Sequence, residues 1–165
     1  MDNLVQSYNN TLSSEFCKYV IDLFEKSGNT MEGITGSGVN KSIKDSTDLS
    51  ITGNLDDPEW AYVYDYIREN LLSNLVDYIG KFPFIFMDSK YSSLSSLVRT
   101  AQLAFMSGNN SVPHMQIQRY IGDQGYYTWH HENQGGDSAK RELAFIYYLN
   151  DVDGGKTEML YNPMK

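Results

Sequence analysis

Apolar residues fall at helical spacing in the first half of the chain and turn to alternation in the second. Phe16, Val20, Ile21, Leu23 and Phe24 recur at intervals of three and four, with Ser13 or Ser14 able to cap the start and Gly28 to stop the run. That pattern predicts a first amphipathic helix. Asp57 followed by Pro58 is a strong helix entry, and Trp60, Val63, Tyr64, Ile67, Leu71, Leu75, Tyr78 and Ile79 mark one face up to Gly80, so this should be the longest helix. Between the two, residues 28–57 turn polar and carry Gly33, Gly36 and Gly38. They read as a surface excursion with short extended pieces, long enough to be a candidate lid.

After Gly80 the period changes. KFPFIFM (81–87) and RTAQLAFM (99–106) read as extended, and MQIQRYI (115–121) sets Met115 and Ile117 against Gln116, Gln118 and Tyr120. ELAFIYYLN (142–150) is a nearly continuous apolar run. The turn DVDGG and the segment KTEMLY follow it, which predicts a hairpin turning at Asp153, Gly154 and Gly155. No internal repeat is present, and the serine cluster YSSLSSL (91–97) is too short to be low complexity. Two helices followed by several strands predict an α+β domain in which helices support one sheet of a β-sandwich or jelly roll. At 165 residues and 41% apolar composition, one core and one domain are expected.

Charge narrows the function classes. The formal net charge is -8 and the basic residues are scattered, so a phosphate-tracking stripe is missing and nucleic acid is a poor candidate partner. The single cysteine, Cys17, cannot form an internal disulfide; it lies among apolar residues, where a buried, inert thiol in a reducing compartment is the expectation. The N-terminus MDNLVQSYNN has neither a basic start nor an apolar run, and no segment approaches the ~20 apolar residues of a membrane span. A cytoplasmic protein without a membrane partner is expected.

The candidate chemistry lies in GYYTWHHEN (125–133), which holds two of the three histidines beside a carboxylate. On an extended chain, positions i and i+2 point the same way, about 6 to 7 Å apart at the backbone, so His130 and Glu132 can converge on one ion. A neutral imidazole with a carboxylate suits Fe(II) in a two-histidine, one-carboxylate triad, and zinc in a hydrolytic site is the chemical alternative. The plainer reading is a polar loop. Tyr120 and Tyr148 lie on strands that could flank this segment and offer phenols to an anionic ligand in a shared cavity. For each the plainer reading is a half-buried strand aromatic, in a chain with 13 tyrosines.

The succession QRY, GYYTWHHE, RELAFIYYLND and GGKTEMLY resembles the core of the prolyl 4-hydroxylase-like iron(II) and 2-oxoglutarate-dependent dioxygenases over residues 115–161, with a weaker likeness in LSSEFCKYVIDLF and VNKSIKDSTDLS. The resemblance implies N-terminal helices packed on a partial double-stranded β-helix (jelly roll). Residues 1–110 would be a helical support region with the first strands and the polar loop, and 111–165 the N-terminal half of the jelly-roll core, with C-terminal strands absent. It makes His130 and Glu132 iron ligands, the glutamate standing where the family more often has aspartate. Tyr120 and Tyr148 take positions that contact 2-oxoglutarate, Tyr127 lines the cavity wall on the substrate side, and Arg141 lies near the substrate entrance. Trp129 and His131, on the opposite face, are packing and surface. Fe(II), 2-oxoglutarate as cosubstrate and O2 follow, with ascorbate as a candidate addition. The implied activity is oxidative decarboxylation of 2-oxoglutarate to succinate coupled to hydroxylation. A prolyl residue in a peptide or protein is the leading substrate and a small amino acid the alternative.

The family supplies its second iron-binding histidine and the basic residue for the distal 2-oxoglutarate carboxylate from strands after the GGKTEMLY position. Here no histidine follows His131, and the later basic residues are Lys140, Arg141, Lys156 and Lys165. His114 precedes its strand at a place where the family has no ligand, and Asp153 and Glu158 read as solvated acids. The leading expectation is therefore that these residues are an incomplete, inactive piece of a dioxygenase. The alternatives are a non-catalytic binding module, with a dimer covering the open sheet at Phe145, Tyr147 and Leu149, and an enzyme completed by His114 or by a histidine from another chain.

Overall fold

The computed structural model describes residues 4–86, 93–106, 114–132 and 143–159, with 101–106 described by their backbone alone. The chain divides into two compact units: Met1–Phe16 with Ser50–Gln116, and Cys17–Leu49 with Ile117–Lys165.

The first helix, α1 (Ser14–Lys26), begins in the first unit and continues in the second. It starts where the sequence places it, because the Ser13 hydroxyl accepts the Phe16 N–H at 3.1 Å and relieves one of the unpaired first-turn donors. In the first unit, α2 (Pro58–Lys81) opens on Asp57, whose carboxylate accepts the Glu59 N–H at 2.8 Å, with Pro58 in the first turn. Trp60, Val63, Tyr64, Ile67, Leu71 and Ile79 form its buried face, and the Phe16 ring stacks on Tyr66 with centroids 4.0 Å apart.

Two segments expected to be strands are helical. Pro83–Phe86 forms a short helix, α3, directly after α2, and Leu94–Met106 forms α4, which packs against α2. Aromatic content suggested extended chain in the first, but Pro83 has the φ that a helix's first turn requires. In the second, the serine cluster is a cap: Ser93 Oγ accepts the Ser96 N–H and Ser96 Oγ accepts the Ser93 N–H, both at 3.2 Å. This reciprocal pair starts a helix at Leu94 that Leu97 and Val98 continue. Beyond α4, Met115 is buried, and its carbonyl accepts the Ile51 N–H at 3.0 Å.

The second unit holds the strands β1 (Met31–Glu32), β2 (Ile34–Thr35), β3 (Gly38–Val39), β4 (Thr47–Ser50) and β5 (Gln116–Arg119), the last residue of β4 and the first of β5 belonging to the first unit. They make a sheet in the order β1-β4-β5 and a separate ribbon of β2 and β3. Met31 faces Asp48 and Glu32 faces Thr47 in one antiparallel register, Ile34 faces Val39 and Thr35 faces Gly38 in the other. Residues 28–57 thus contain the short extended pieces expected. The stretch is not all surface, because Lys44, Ser46, Asp48 and Leu49 are buried. The alternation in 115–121 is realised as β5, while residues 143–149 belong to no ladder among the described residues. An apolar run becomes a strand only where a neighbour supplies hydrogen bonds. The turn after it is present, with Gly154 and Gly155 at φ +96° and +63°, and Tyr148 reaches across to donate to Thr157 Oγ1 at 2.5 Å.

The observed mixture of helices and small sheets agrees with the α+β expectation. Among the described residues no helix is long and apolar enough to cross a membrane.

Candidate metal centre

Residues 43–45 run beside 125–127 in the second unit. The Asp45 N–H donates to the Gly125 carbonyl at 2.9 Å and the Tyr127 N–H to the Ile43 carbonyl at 2.8 Å, on either side of an antiparallel bridge between Lys44 and Tyr126. The turn leading in needs Gly122 at φ +60° and is clamped by Gln124, whose Oε1 accepts the Ile121 N–H at 2.9 Å and whose Nε2 donates to Asp45 Oδ1 at 3.1 Å. This pairing fixes the backbone of Tyr126, from which 127–132 leads away as irregular chain rather than the expected strand.

The pair predicted from spacing is brought together despite that irregularity. His130 Nε2 lies 3.5 Å from Glu132 Oε1, with the side chains 31% and 57% exposed. His130 Nδ1 is 3.0 Å from the Thr128 carbonyl, so the tautomer with its proton on Nδ1 would satisfy that carbonyl and leave the Nε2 lone pair free for an ion on the Glu132 side. The imidazole also stacks on Tyr126, with centroids 3.9 Å apart and planes 12° from parallel. Metal–nitrogen and metal–oxygen bonds are each ~2 Å long, so atoms 3.5 Å apart can share one ion. The donor set, one neutral imidazole and one carboxylate, fits Fe(II) and other first-row divalent ions. It supplies two donors, and among the described residues no group of three histidine, cysteine or acidic side chains is placed to hold a metal.

Tyr120 lies near Tyr126, the ring on which His130 stacks. Its phenol donates to Gln118 Oε1 at 3.0 Å, and lost hydration, then the nearby Asp48 carboxylate, push its pKa up to about 12. The ring is nonetheless 40% exposed, so the loss of hydration concerns the hydroxyl end more than the whole side chain. Tyr126 also acts on Tyr120, and Glu132 acts on Tyr126; the pKa of Tyr126 is raised first by burial and then by Glu132. The Tyr127 phenol donates to the Asp123 carbonyl at 2.8 Å and its ring lies over Gly125. Tyr148 is 64% exposed and bonded to Thr157. Arg141 lies outside the described residues, and His114 belongs to the first unit.

Residues 115–164 match the family model of the 2OG-Fe(II) oxygenase superfamily. The matched span contains His130, Glu132, Tyr120, Tyr127, Arg141 and Tyr148, and the chemistry of that superfamily uses Fe(II), 2-oxoglutarate and O2. No curated protein and no solved structure matches the chain.

Sequence reasoning passed over two features of the site. Tyr126 and Thr128 share the i, i+2 parity of His130 and Glu132, so the rule that paired those two side chains could also have found the ring and the carbonyl that contact His130. Lys44, Ser46 and Asp48 show the same parity in KDSTD. Lys44, 2% exposed, binds Asp48 Oδ2 at 2.5 Å, and the Ser46 hydroxyl donates to Asp48 Oδ1 at 2.7 Å.

Proposed function

We propose that the protein belongs to the machinery of Fe(II)- and 2-oxoglutarate-dependent hydroxylation, with His130 and Glu132 as two of the metal ligands. The observation that carries this is the 3.5 Å approach of His130 Nε2 to Glu132 Oε1, inside the span that matches the superfamily. Bound there, iron would supply the oxygen chemistry that couples decarboxylation of 2-oxoglutarate to hydroxylation. The chain's own part is orientation. The Thr128 carbonyl sets the His130 tautomer, the Glu132 carboxylate lowers the charge of the bound ion, and Tyr120, kept protonated by its surroundings, offers a phenol for an anionic cosubstrate. Tyr148 and Arg141 are proposed for 2-oxoglutarate and for the substrate entrance, and Tyr127 for the substrate side, by resemblance to the prolyl 4-hydroxylase-like branch. A prolyl residue in a peptide or protein is the substrate this reading favours.

Anaerobic Fe(II) titration of the wild type and of His130→Ala is the test. Binding should be lost in the variant with an unchanged circular dichroism spectrum, because an exposed ligand contributes little packing. Iron affinity unaltered by His130→Ala would remove the assignment. A second reading, a non-catalytic module that uses the same fold for binding, is favoured by one observation: the described residues bring two donors together and no third.

A further inference from the structure

We propose that Tyr126 is a positioning residue for the metal ligand His130, its ring fixing the plane of the imidazole so that Nε2 is presented beside Glu132 before an ion arrives. This rests on the metal reading above. The argument begins with what a histidine ligand must hold constant. Two side-chain torsions set the ring, and a metal site needs both. The contact between Nδ1 and the Thr128 carbonyl, at 3.0 Å, anchors one edge of the ring, but the ring can still rock about that axis. A flat surface against its face removes the rocking. Tyr126 supplies one, near-parallel at 12° and 3.9 Å between centroids.

A wall restrains only if it is itself restrained. The backbone of Tyr126 is bridged to Lys44, with the flanking bonds Asp45 N–H to Gly125 and Tyr127 N–H to Ile43 closing both sides. The Lys44 side chain is in turn buried against Asp48. The restraint thus runs from a buried ion pair, through a backbone bridge, to an aromatic face and then to the ligand. Tyr127, the neighbour that resemblance assigns to the cavity, turns instead to the Asp123 carbonyl. Ordering of the His130 ring is then completed in folding rather than on metal binding, which is the general route by which pre-organisation raises affinity.

The chain has three histidines, so its imidazole resonances can be assigned individually. The experiment compares Tyr126→Phe, which keeps the ring, with Tyr126→Leu, which removes it, and with Tyr126→Thr as a second ring-free variant should the leucine fail to fold. The readouts are the metal-free imidazole nitrogen spectrum of His130 and the affinity for Co(II) by calorimetry. Wild type and Tyr126→Phe should show a single, sharp His130 signal and similar affinities. The ring-free variants should show an averaged His130 signal and Co(II) binding weaker by roughly ten-fold or more. Wild-type spectrum and affinity in a folded ring-free variant would overturn the inference, as would a Tyr126→Phe variant as impaired as the ring-free ones. His130→Ala keeps the two levels apart: undiminished Co(II) binding in that variant sinks the metal reading itself. Loss of binding there, with none in the ring-free variants, sinks only the role of Tyr126.

Discussion

An ammonium group withdrawn from water is stabilised only by what it touches, and Lys44 touches Asp48. The side chains are 3% and 8% exposed and 2.5 Å apart, and Ser46 satisfies the second carboxylate oxygen. Removing one partner leaves the other charged and buried, so Asp48→Ala should cost about 3–5 kcal/mol in urea unfolding, whereas the paired change Lys44→Met with Asp48→Leu should recover most of it. Recovery would show that the pair orders the site more than it stabilises the fold. Tyrosine titration gives a second expectation at this scale. Tyr120 and Tyr8 have folded-state pKa values raised from 10.0 to about 12, the first by burial and Asp48, the second by burial and its bond to Asp77. A raised pKa means that the unfolded chain loses the proton first. The stabilising contribution is therefore complete below about pH 10 and lost as pH climbs toward 12. Phenolate absorbance should show late-titrating groups in the folded protein, and Tyr120→Phe should both remove one of them and flatten the fall of stability across that window. The approach of His130 to Glu132 was legible residue by residue, since the i, i+2 spacing brings the two side chains together even on an irregular chain. Tyr127 and Tyr148 were less legible, since a phenol's direction depends on whichever acceptor folding brings near, here the Asp123 carbonyl and Thr157.

Elements were legible where their ends carry local chemistry. Ser13 and the Asp57-Pro58 pair announce α1 and α2 because a cap is satisfied within one turn. Ser93 and Ser96 announce α4 in the same way, by a cap closed within one turn that lies ahead of the 99–106 segment expected to be extended. Strands offer no such local signal. β5 is a strand because β4 lies beside it, and 143–149, richer in aromatics, lies in no ladder among the described residues. The turn between β1 and β2 shows how tightly the pairing around Lys44 is built. The Gly33 N–H donates to the Ser46 carbonyl at 2.9 Å, and a Cβ at Gly33 would lie 2.2 Å from Ser46 Oγ and 3.1 Å from the Lys44 stem. Gly33→Ala must push Ser46 off Asp48 or separate the backbones, so a loss of about 1–3 kcal/mol in thermal or urea unfolding is expected. The same substitution at Gly36, which faces open space, should change little. Equal effects at the two glycines would show that the close approach around Ser46 is not what Gly33 provides.

At the scale of the whole molecule, the question is how many donors one ion can be offered. A facial triad needs two histidines and a carboxylate, and the described residues bring together one of each. Each metal–ligand bond lost weakens the site, and 2-oxoglutarate adds its own demand for a basic residue opposite its distal carboxylate. Lys44 is a poor substitute for that residue while Asp48 holds it. The net charge of -8 raises the local concentration of divalent cations but works against a dianionic cosubstrate, which sharpens the need for a dedicated base. The proposed function therefore predicts two separable behaviours for the 165-residue chain. Metal should bind weakly and depend on His130. Succinate formation from 2-oxoglutarate in the presence of Fe(II), O2 and proline-containing peptides should be undetectable, and should emerge only when a histidine and an arginine or lysine are supplied by another chain. Vigorous succinate production by the 165 residues alone would contradict the donor count and require a third ligand that the described arrangement does not bring to His130 and Glu132. His114→Ala would then be the first substitution to make, followed by changes at Asp153 and Glu158.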